Sequence, residues 1–256
     1  MKRARVIPVL LLAREGLVKT VRFSQPRYLG DPINAVRIFN EKMVDELVLL
    51  DIEATAKDRI AFDQIEDIVS EAFMPVAYGG GLSSTEQCAE LFKRGVEKVI
   101  INTAACERPQ LITNAAQRFG SQSIVVSIDC RHNFWRRQKA YIKAGKKESK
   151  FSPVELAMRS EELGAGEIFL TSIEKEGTFS GYDLGLLRSV SSALGIPVVA
   201  NGGAGSIEHL LQAVLQGGCS AVAAGSMFVF AAKGEGVLIN YPSQSDLENE
   251  FWQYLA

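Results

Sequence analysis

The sequence lacks the features that mark disulfide-rich, metal-binding and membrane proteins. Its four cysteines, at positions 88, 106, 130 and 219, are widely separated and follow no metal-ligand spacing. We therefore expect ordinary reduced cysteines in preference to ligands or disulfides, and we expect no metal and no cofactor. The longest apolar runs, such as residues 6–13, are far shorter than the roughly 20 residues of a membrane-spanning helix. The N-terminal stretch has no cleavable secretory pattern, so the cytoplasm is the expected location.

A marked excess of charge of one sign is also absent. The chain contains 28 Lys and Arg against 30 Asp and Glu, which gives a formal net charge of −2. Strongly basic proteins are the ones drawn to nucleic acids and anionic membranes. The composition therefore predicts a protein whose partners are neither nucleic acid nor membrane.

What the sequence does contain is a regular alternation of strand and helix patterns. Its 256 residues match the roughly 250 of a (β/α)8 barrel, so one domain covering 1–256 is expected. Short and mostly continuous apolar runs, typical of parallel strands buried on both faces, lie at 5–12, 46–52, 75–78, 98–102, 123–129, 167–171, 197–200 and 221–225. Helical patterns lie at 32–42, 61–72, 84–94, 109–118, 153–163, 184–194, 206–216 and 245–254. Eight strands alternating with eight helices predict an α/β fold, a single closed (β/α)8 TIM barrel.

The two halves of the chain repeat one another. ELVLLDIE at 46–53 has the same pattern as EIFLTSIE at 167–174, about 120 residues later, and YGGG at 78–81 resembles NGGA at 201–204. Self-similarity of this kind predicts a two-fold repeat of half-barrels.

Two glycine clusters directly follow predicted strands, the first at 79–81 and the second at 202, 203 and 205. Glycine lets backbone amides approach an anion, and the helix that follows adds its positive N-terminal end. Each cluster therefore predicts a phosphate site, and the residues assigned to the two sites are Gly81, Asn102, Thr103, Gly203, Gly225 and Ser226. Two sites imply a substrate with a phosphate at each end.

Two carboxylates end predicted strands, Asp129 on the fifth and Asp51 on the second. A carboxylate at the carboxyl end of a barrel strand costs desolvation energy and gains nothing from packing, which favours a catalytic or substrate-binding role. A helix cap or a salt bridge to a nearby loop is the structural alternative for each. Lys19, in a long loop, is either a phosphate ligand or simply an exposed residue.

Charged residues also stand at or near the starts of four strands: Arg5, Glu46, Lys98 and Glu167. Because strand starts encircle the bottom of a barrel, these side chains are predicted to form a ring of alternating sign. The ring is either an ion-pair plug on the barrel floor or a functional element.

Two segments, 13–30 and 131–150, exceed ordinary connections and leave the end of the barrel that carries chemistry. We expect lids or a small hairpin there. The second segment is rich in Arg and Lys and includes Phe134 and Trp135. It is either a solvated hairpin with an aromatic anchor or a contact for a partner or substrate.

These patterns together resemble the cyclase subunit of imidazole glycerol phosphate synthase, the HisF-type barrel, over nearly the whole chain. The motifs that carry the resemblance are DELVLLDI at 45–52, GGG at 79–81, INTAA at 101–105, FGSQ at 119–122, LTSI at 170–173, GTFSGYD at 177–183 and GGAG at 202–205. The resemblance implies a HisH-type glutaminase partner at the barrel floor and a two-phosphate substrate at the mouth. It implies that the ring of four charges gates ammonia, and it adds Thr171 and Gly177 to the substrate contacts.

The resemblance also implies two catalytic aspartates, at the ends of the first and fifth strands. Asp129 matches the second, whereas Leu11 stands where the first is expected. Leu cannot transfer a proton, and the loss of a general acid or base costs on the order of 100- to 10,000-fold in rate. Residues 10–12, 17–23 and 27–42 look more like the divergent second HisF-type proteins associated with surface-polysaccharide genes. Those proteins are thought to work with a glutaminase and a separate amidotransferase in converting a sugar acetamido group to an acetamidino group.

Three functional hypotheses follow. The first is an ammonia-channelling subunit that serves nucleotide-sugar amidination. The second is a genuine cyclase of histidine biosynthesis that makes imidazole glycerol phosphate without the first aspartate. The third is a noncatalytic scaffold that activates its glutaminase; Leu11 favours it, while Asp129 and the phosphate motifs count against it.

Overall fold

A computed structural model describes residues 3–13, 16–232, 234 and 236–255 of the chain. Strands are numbered along the chain as β1 (Arg5–Ala13), β2 (Gly16–Val21), β3 (Ser24–Gly30), β4 (Leu47–Asp51), β5 (Val76–Gly79), β6 (Lys98–Ile101), β7 (Ile124–His132), β8 (Gln138–Ile142), β9 (Lys147–Glu148), β10 (Glu167–Ser172), β11 (Val198–Asn201) and β12 (Ala221–Ala224). Helices are α1 (Pro32–Glu41), α2 (Ala54–Lys57), α3 (Phe62–Ser70), α4 (Thr85–Lys93), α5 (Thr103–Glu107), α6 (Gln110–Phe119), α7 (Pro153–Glu162), α8 (Leu184–Ser191), α9 (Ile207–Leu215), α10 (Ser226–Val229) and α11 (Gln244–Glu250).

Among the described residues, eight parallel strands form a closed barrel. The order β10-β11-β12-β1-β4-β5-β6-β7 is completed by pairing of β7 with β10, which closes the circle. The predicted (β/α)8 fold is therefore confirmed, and each barrel strand lies within three residues of its predicted bounds. The strands that carry the repeated motifs, β4 and β10, are four places apart in this order and so stand on opposite sides of the barrel.

Two apolar cores result from strands buried on both faces. The larger core fills the space between strands and helices, with Phe39, Tyr78 and Phe228 among its fully buried side chains. The smaller core lies inside the barrel and consists of Ile7, Val9, Val48, Ala77, Ile100, Val125, Phe169, Val199, Ala221 and Ala223. The interior of the barrel is thus lined by apolar side chains.

The two long segments form antiparallel hairpins at the carboxyl ends of strands. Strand β2 pairs with β1 and β3, and β8 pairs with β7 and β9. Of the two alternatives predicted for these segments, a lid or a hairpin, both segments form a hairpin. Residues 14 and 15, which belong to the first predicted segment, lie outside the described residues.

Three short helices, α2, α5 and α10, do not belong to the predicted set. Each has four or five residues and directly follows a barrel strand. A helix this short has too few residues to show the periodic spacing of apolar residues by which helices are predicted from sequence. The last predicted helix, at 245–254, is instead α11 followed by a 3-10 turn at Trp252–Leu255. The break lets Phe251 and Trp252 both enter the core, where Trp252 Nε1 donates a hydrogen bond to the Ala4 carbonyl at 2.8 Å.

Candidate functional site

The four charged residues at the strand starts form a closed ring on the barrel floor. Arg5 forms ion pairs with Glu46 and Glu167. On the other side of the ring, Lys98 Nζ lies 3.0 Å from carboxylate oxygens of the same two glutamates. The two carboxylates are buried, with side chains only 6% and 7% exposed. Their desolvation is offset because each contacts both cations.

A cavity of about 690 Å³ opens at the other end of the barrel, the mouth. It is lined by every residue predicted to contact substrate: Lys19, Asp51, Gly81, Asn102, Thr103, Asp129, Thr171, Gly177, Gly203, Gly225 and Ser226. Parallel strands all deliver their carboxyl ends to one face, which is why residues distant in sequence meet here. The structure thus brings the predicted site together; the role of each residue remains a prediction.

Asp129 is a buried carboxylate of the mouth, at 8% exposure. Burial raises the pKa of Asp129 to about 7, while hydrogen bonds from Ser127 and Thr171 oppose this effect. Asn102 Nδ2 lies 3.3 Å from one carboxylate oxygen, and Ser127 Oγ lies 3.4 Å from the other. A carboxyl group with a pKa near 7 is suited to give and take protons at neutral pH.

Leu11 faces the same cavity as Asp129 from the β1 side. It pairs in register with Leu50 on β4, and these two side chains cap the core inside the barrel. The β1 side of the mouth is therefore apolar where the resemblance implies a carboxylate.

Lys19 lies within strand β2, not in an open loop, and it is 6% exposed. Its ammonium group forms an ion pair with Glu176, which is also 6% exposed and lines the cavity. Burial lowers the pKa of Lys19, and the contact with Glu176 works against that effect. The expectation of a simply exposed lysine is therefore wrong, whereas phosphate contact remains a prediction.

Glu176 is a cavity residue that the sequence reasoning missed. Its carboxylate accepts a hydrogen bond from Thr20 Oγ1 at 3.2 Å and one from the Phe23 backbone N–H at 3.1 Å. The only sequence signal was its place directly before Gly177, in the loop that follows a predicted strand end. Glu176 thus holds the β2–β3 hairpin against the loop that follows β10.

Asp51 acts as a local cap. One of its carboxylate oxygens accepts hydrogen bonds at 2.9 Å from the backbone N–H groups of Glu53 and Ala54, where α2 begins. Burial raises its pKa and these two hydrogen bonds oppose the rise. The cap that the sequence left open as an alternative is present, and a substrate role for this half-buried group stays a prediction.

The glycine clusters adopt backbone conformations that other residues rarely take. Gly80 has φ +133° and Gly203 has φ +116°. A Cβ atom at Gly203 would overlap the Gly181 carbonyl, and one at Gly80 would overlap the Asp51 carbonyl. These turns hold the loop backbone close to the cavity on opposite sides of the mouth, since β5 and β11 are four strands apart.

The second hairpin adds positive charge to the rim. Lys143, Lys146 and Lys147 line the cavity beside Thr103, whose Oγ1 accepts a hydrogen bond from the Lys143 backbone N–H at 3.0 Å. Lys143 and Lys147 also lie 3.4 and 3.6 Å from Glu107. The rim next to the first glycine cluster is therefore basic, which complements an anionic ligand.

Fold and cavity together place the chain among the (β/α)8-barrel proteins that carry their sites at the carboxyl ends of the strands. Residues 5–233 match the model of the family described as "Histidine biosynthesis protein". Within it, the chain belongs to the HisF-type subunits of imidazole glycerol phosphate synthase, as its similarity to proteins carrying that name shows. No helix within the described residues is long and apolar enough to cross a membrane.

Three relatives illustrate the similarity. A Pseudomonas aeruginosa protein provisionally named imidazole glycerol phosphate synthase subunit hisF2 is 50% identical over 249 residues, covering 97% of this chain and 99% of the relative. A Leptospira interrogans protein provisionally named subunit HisF is 43% identical, covering 98% of this chain and all of the relative. The imidazole glycerol phosphate synthase subunit HisF of Alkaliphilus metalliredigens is 38% identical, covering 88% of this chain and 89% of the relative.

Proposed function

We propose that this chain accepts ammonia at its floor from a HisH-type glutaminase and delivers it through the barrel to the mouth. The acceptor in this proposal is a nucleotide sugar. A separate sugar amidotransferase uses the ammonia to convert the acetamido group of that sugar into an acetamidino group. The observation that carries the proposal is the combination of a closed ring of charges at the floor with a mouth that has Asp129 but Leu11 in place of a second carboxylate.

The floor supports docking of a partner. Met43 and Phe73, which precede strands β4 and β5, are 68% and 89% exposed. Both therefore lie at the same end of the barrel as the charge ring. Phe and Met are among the residue types enriched at protein–protein interfaces.

The mouth supports a changed acceptor. Cyclase chemistry, as the resemblance implies it, requires two groups that transfer protons, and the β1 side of this cavity presents Leu11 instead. The numbering in the names hisF2 and hisF3 carried by relatives from Pseudomonas aeruginosa and Vibrio vulnificus also fits additional copies with a separate role.

The partner claim is tested by mixing the purified chain with its cognate glutaminase and measuring glutamine hydrolysis. We expect hydrolysis to rise on mixing, and Lys98→Ala to change the fraction of ammonia that reaches the acceptor. Lys57→Ala is the matched control, because Lys57 forms an exposed ion pair at the opposite end of the barrel. Unchanged hydrolysis on mixing would contradict docking.

The acceptor claim is tested with glutamine labelled with ¹⁵N at its amide, the glutaminase, the sugar amidotransferase and the nucleotide sugar. We expect ¹⁵N in the sugar, and we expect it to depend on this chain. A scaffold that only activates the glutaminase would give the same labelling when free ¹⁵N-labelled ammonium replaces glutamine and the chain is omitted.

A cyclase of histidine biosynthesis is the second candidate. It is favoured by the buried Asp129 and by glycine clusters on opposite sides of the mouth, where a substrate with two phosphates would fit. A crystal soaked in phosphate should show an anion near each cluster, and a soaked crystal with none would remove the two-phosphate interpretation.

A further inference from the structure

The hairpin β7–β8 and the segment that follows it carry an unusual concentration of positive charge. Between residues 131 and 150 there are eight Lys and Arg residues and a single acidic residue, Glu148, in a chain whose formal net charge is −2. The rest of the chain is therefore distinctly acidic. A charge asymmetry of this size between one surface feature and its scaffold favours a partner of opposite charge.

Two aromatic side chains stand at the tip of this hairpin. Phe134 is 92% exposed and Trp135 is 76% exposed, and their rings meet edge to face with centroids 5.5 Å apart. The solvated-hairpin hypothesis expected an aromatic anchor, but neither ring is packed into the protein. Arg136 and Arg137, also exposed, follow directly.

The tip is a structured turn. Asn133 Oδ1 accepts hydrogen bonds from the backbone N–H groups of Trp135 and Arg137 at 3.0 and 3.1 Å, and the Asn133 N–H donates to the Arg137 carbonyl at 2.9 Å. The exposed rings are therefore presented on a fixed backbone, which lowers the entropy cost of binding.

The position of the tip distinguishes it from the cavity. Strand β7 continues past Asp129 into the hairpin, so the tip projects from the mouth end of the barrel. Phe134 and Trp135 are not among the residues that line the cavity. A small ligand bound in the mouth would not cover them, whereas a macromolecule docked over that end would.

We propose that the tip, defined as residues 131–137, is a docking surface for a protein that presents an acidic patch. Trp, Phe and Arg are the residue types enriched at protein–protein interfaces, and buried aromatic anchors ringed by charge dominate their energetics. The chain as a whole has a formal net charge of −2, which disfavours nucleic acid, so a protein is the better fit. This docking is independent of glutaminase docking, because the tip lies at the opposite end of the barrel from the charge ring.

The first experiment places the photoreactive residue p-benzoylphenylalanine at position 134 of the full chain, in cells that make this protein natively. A control carries it at position 215, because Leu215 on α9 is also apolar and exposed, at 59%. We expect a protein adduct from position 134 that is absent from position 215. No adduct, an adduct with nucleic acid, or an adduct only with a second copy of this chain would overturn the proposal.

The second experiment measures the affinity of the purified chain for the cross-linked protein. Arg136→Glu with Arg137→Glu should weaken binding about tenfold or more and remove most of its salt dependence. Phe134→Ser with Trp135→Ser should weaken it by a similar factor. Arg118→Glu with Arg188→Glu, an equal charge change on exposed residues of α6 and α8, should leave it unchanged.

Charge reversal on the partner completes the test. Replacing the acidic residues of the partner's cross-linked patch by Lys should restore binding to the Arg136→Glu, Arg137→Glu chain. Failure of this rescue, or equal binding by all variants, would overturn the proposal. Glutaminase stimulation by each variant, measured alongside, should be unchanged, so that failure here and failure of glutaminase docking are distinguishable.

Discussion

Asp129 and Leu11 face one cavity but differ in the chemistry of their side chains. Asp129 is a buried carboxyl group whose pKa is raised to about 7 by burial, and Ser127 and Asn102 contact its oxygens. Leu11 has no group that exchanges a proton, and it packs on the core inside the barrel. The two residues therefore differ in whether they can exchange a proton with a ligand in the cavity.

Replacing Leu11 tests whether that difference alone limits cyclase chemistry. We expect the unmodified chain with saturating ammonium to make imidazole glycerol phosphate at least about 100-fold more slowly than an ordinary cyclase. Leu11→Asp should recover part of the rate, and Asp129→Asn should abolish what remains. Product formation from the two-phosphate substrate is the measurement. Efficient turnover by the unmodified chain would favour histidine biosynthesis over sugar amidination.

The raised pKa of Asp129 also predicts a pH-dependent stability. Because its folded pKa of about 7 lies above the unfolded value, the folded state holds the proton more tightly. The resulting stability is fully present below the unfolded pKa of about 4, and it is lost as pH rises from there through 7. Between pH 5.5 and 8.5 the loss from this group is about 2 kcal/mol.

Asp129→Asn should remove this slope from the free energy of unfolding, measured with urea at both pH values. Asp63→Asn, at a side chain that is 98% exposed, should leave the fall in stability between the two pH values unchanged. An Asp129→Asn protein whose stability still falls by the same amount would show that other groups cause the dependence.

At the scale of elements, the β2–β3 hairpin is fixed to the barrel by Glu176. The glutamate follows β10, yet it contacts Lys19, Thr20 and Phe23 in the hairpin. The hairpin thereby lies over part of the mouth, where the buried ion pair between Lys19 and Glu176 holds it. Any substrate that contacts Lys19 must share it with Glu176 or displace that carboxylate.

Glu176→Gln should loosen this hairpin, because it leaves the Lys19 ammonium buried without its countercharge. Breaking a buried ion pair in this way costs about 3 kcal/mol or more. We expect faster amide hydrogen exchange across residues 16–30 than in the unmodified chain. Glu53→Gln, which affects the exposed pair with Lys57, should change stability by less than about 1 kcal/mol. Equal exchange in both variants would contradict the role of Glu176.

At the scale of the whole molecule, the barrel separates two polar ends by an apolar interior. The charge ring lies at the strand starts, Asp129 and the glycine clusters lie at the strand ends, and the core inside the barrel lies between them. The chain termini close the floor: Tyr241 Oη donates to the Val6 carbonyl at 3.0 Å, and Trp252 Nε1 donates to the Ala4 carbonyl. Residues distant in sequence thus stabilise the first strand together.

This closure predicts that the chain unfolds as one cooperative domain. Trp252→Ala should lower the free energy of unfolding by about 3–5 kcal/mol, since it empties a core position and leaves the Ala4 carbonyl without that donor. Calorimetry should show a single transition that moves to lower temperature. Tyr254→Ala, at a side chain that is 59% exposed, should change the free energy of unfolding little. A second, separate transition would contradict the single domain.

The sequence by itself determined the barrel and the contents of its two ends. Continuous apolar runs identify strands buried on both faces, and their regular alternation with helices leaves few topologies. Closure of the barrel then carries Arg5, Glu46, Lys98 and Glu167 to one end and Asp129 to the other. These placements were predictable because they depend only on whether a residue begins or ends a strand.

Only the tertiary structure decided the contacts made by the hairpins and short helices. Lys19 and Glu176 are 157 residues apart, and their pairing depends on how the β2–β3 hairpin folds back, which no local period encodes. The use of Asp51 as a cap depends on α2, a helix too short to show amphipathic spacing. The exposure of Phe134 and Trp135 likewise depends on the turn that Asn133 fixes, since an apolar pair in sequence is equally compatible with burial.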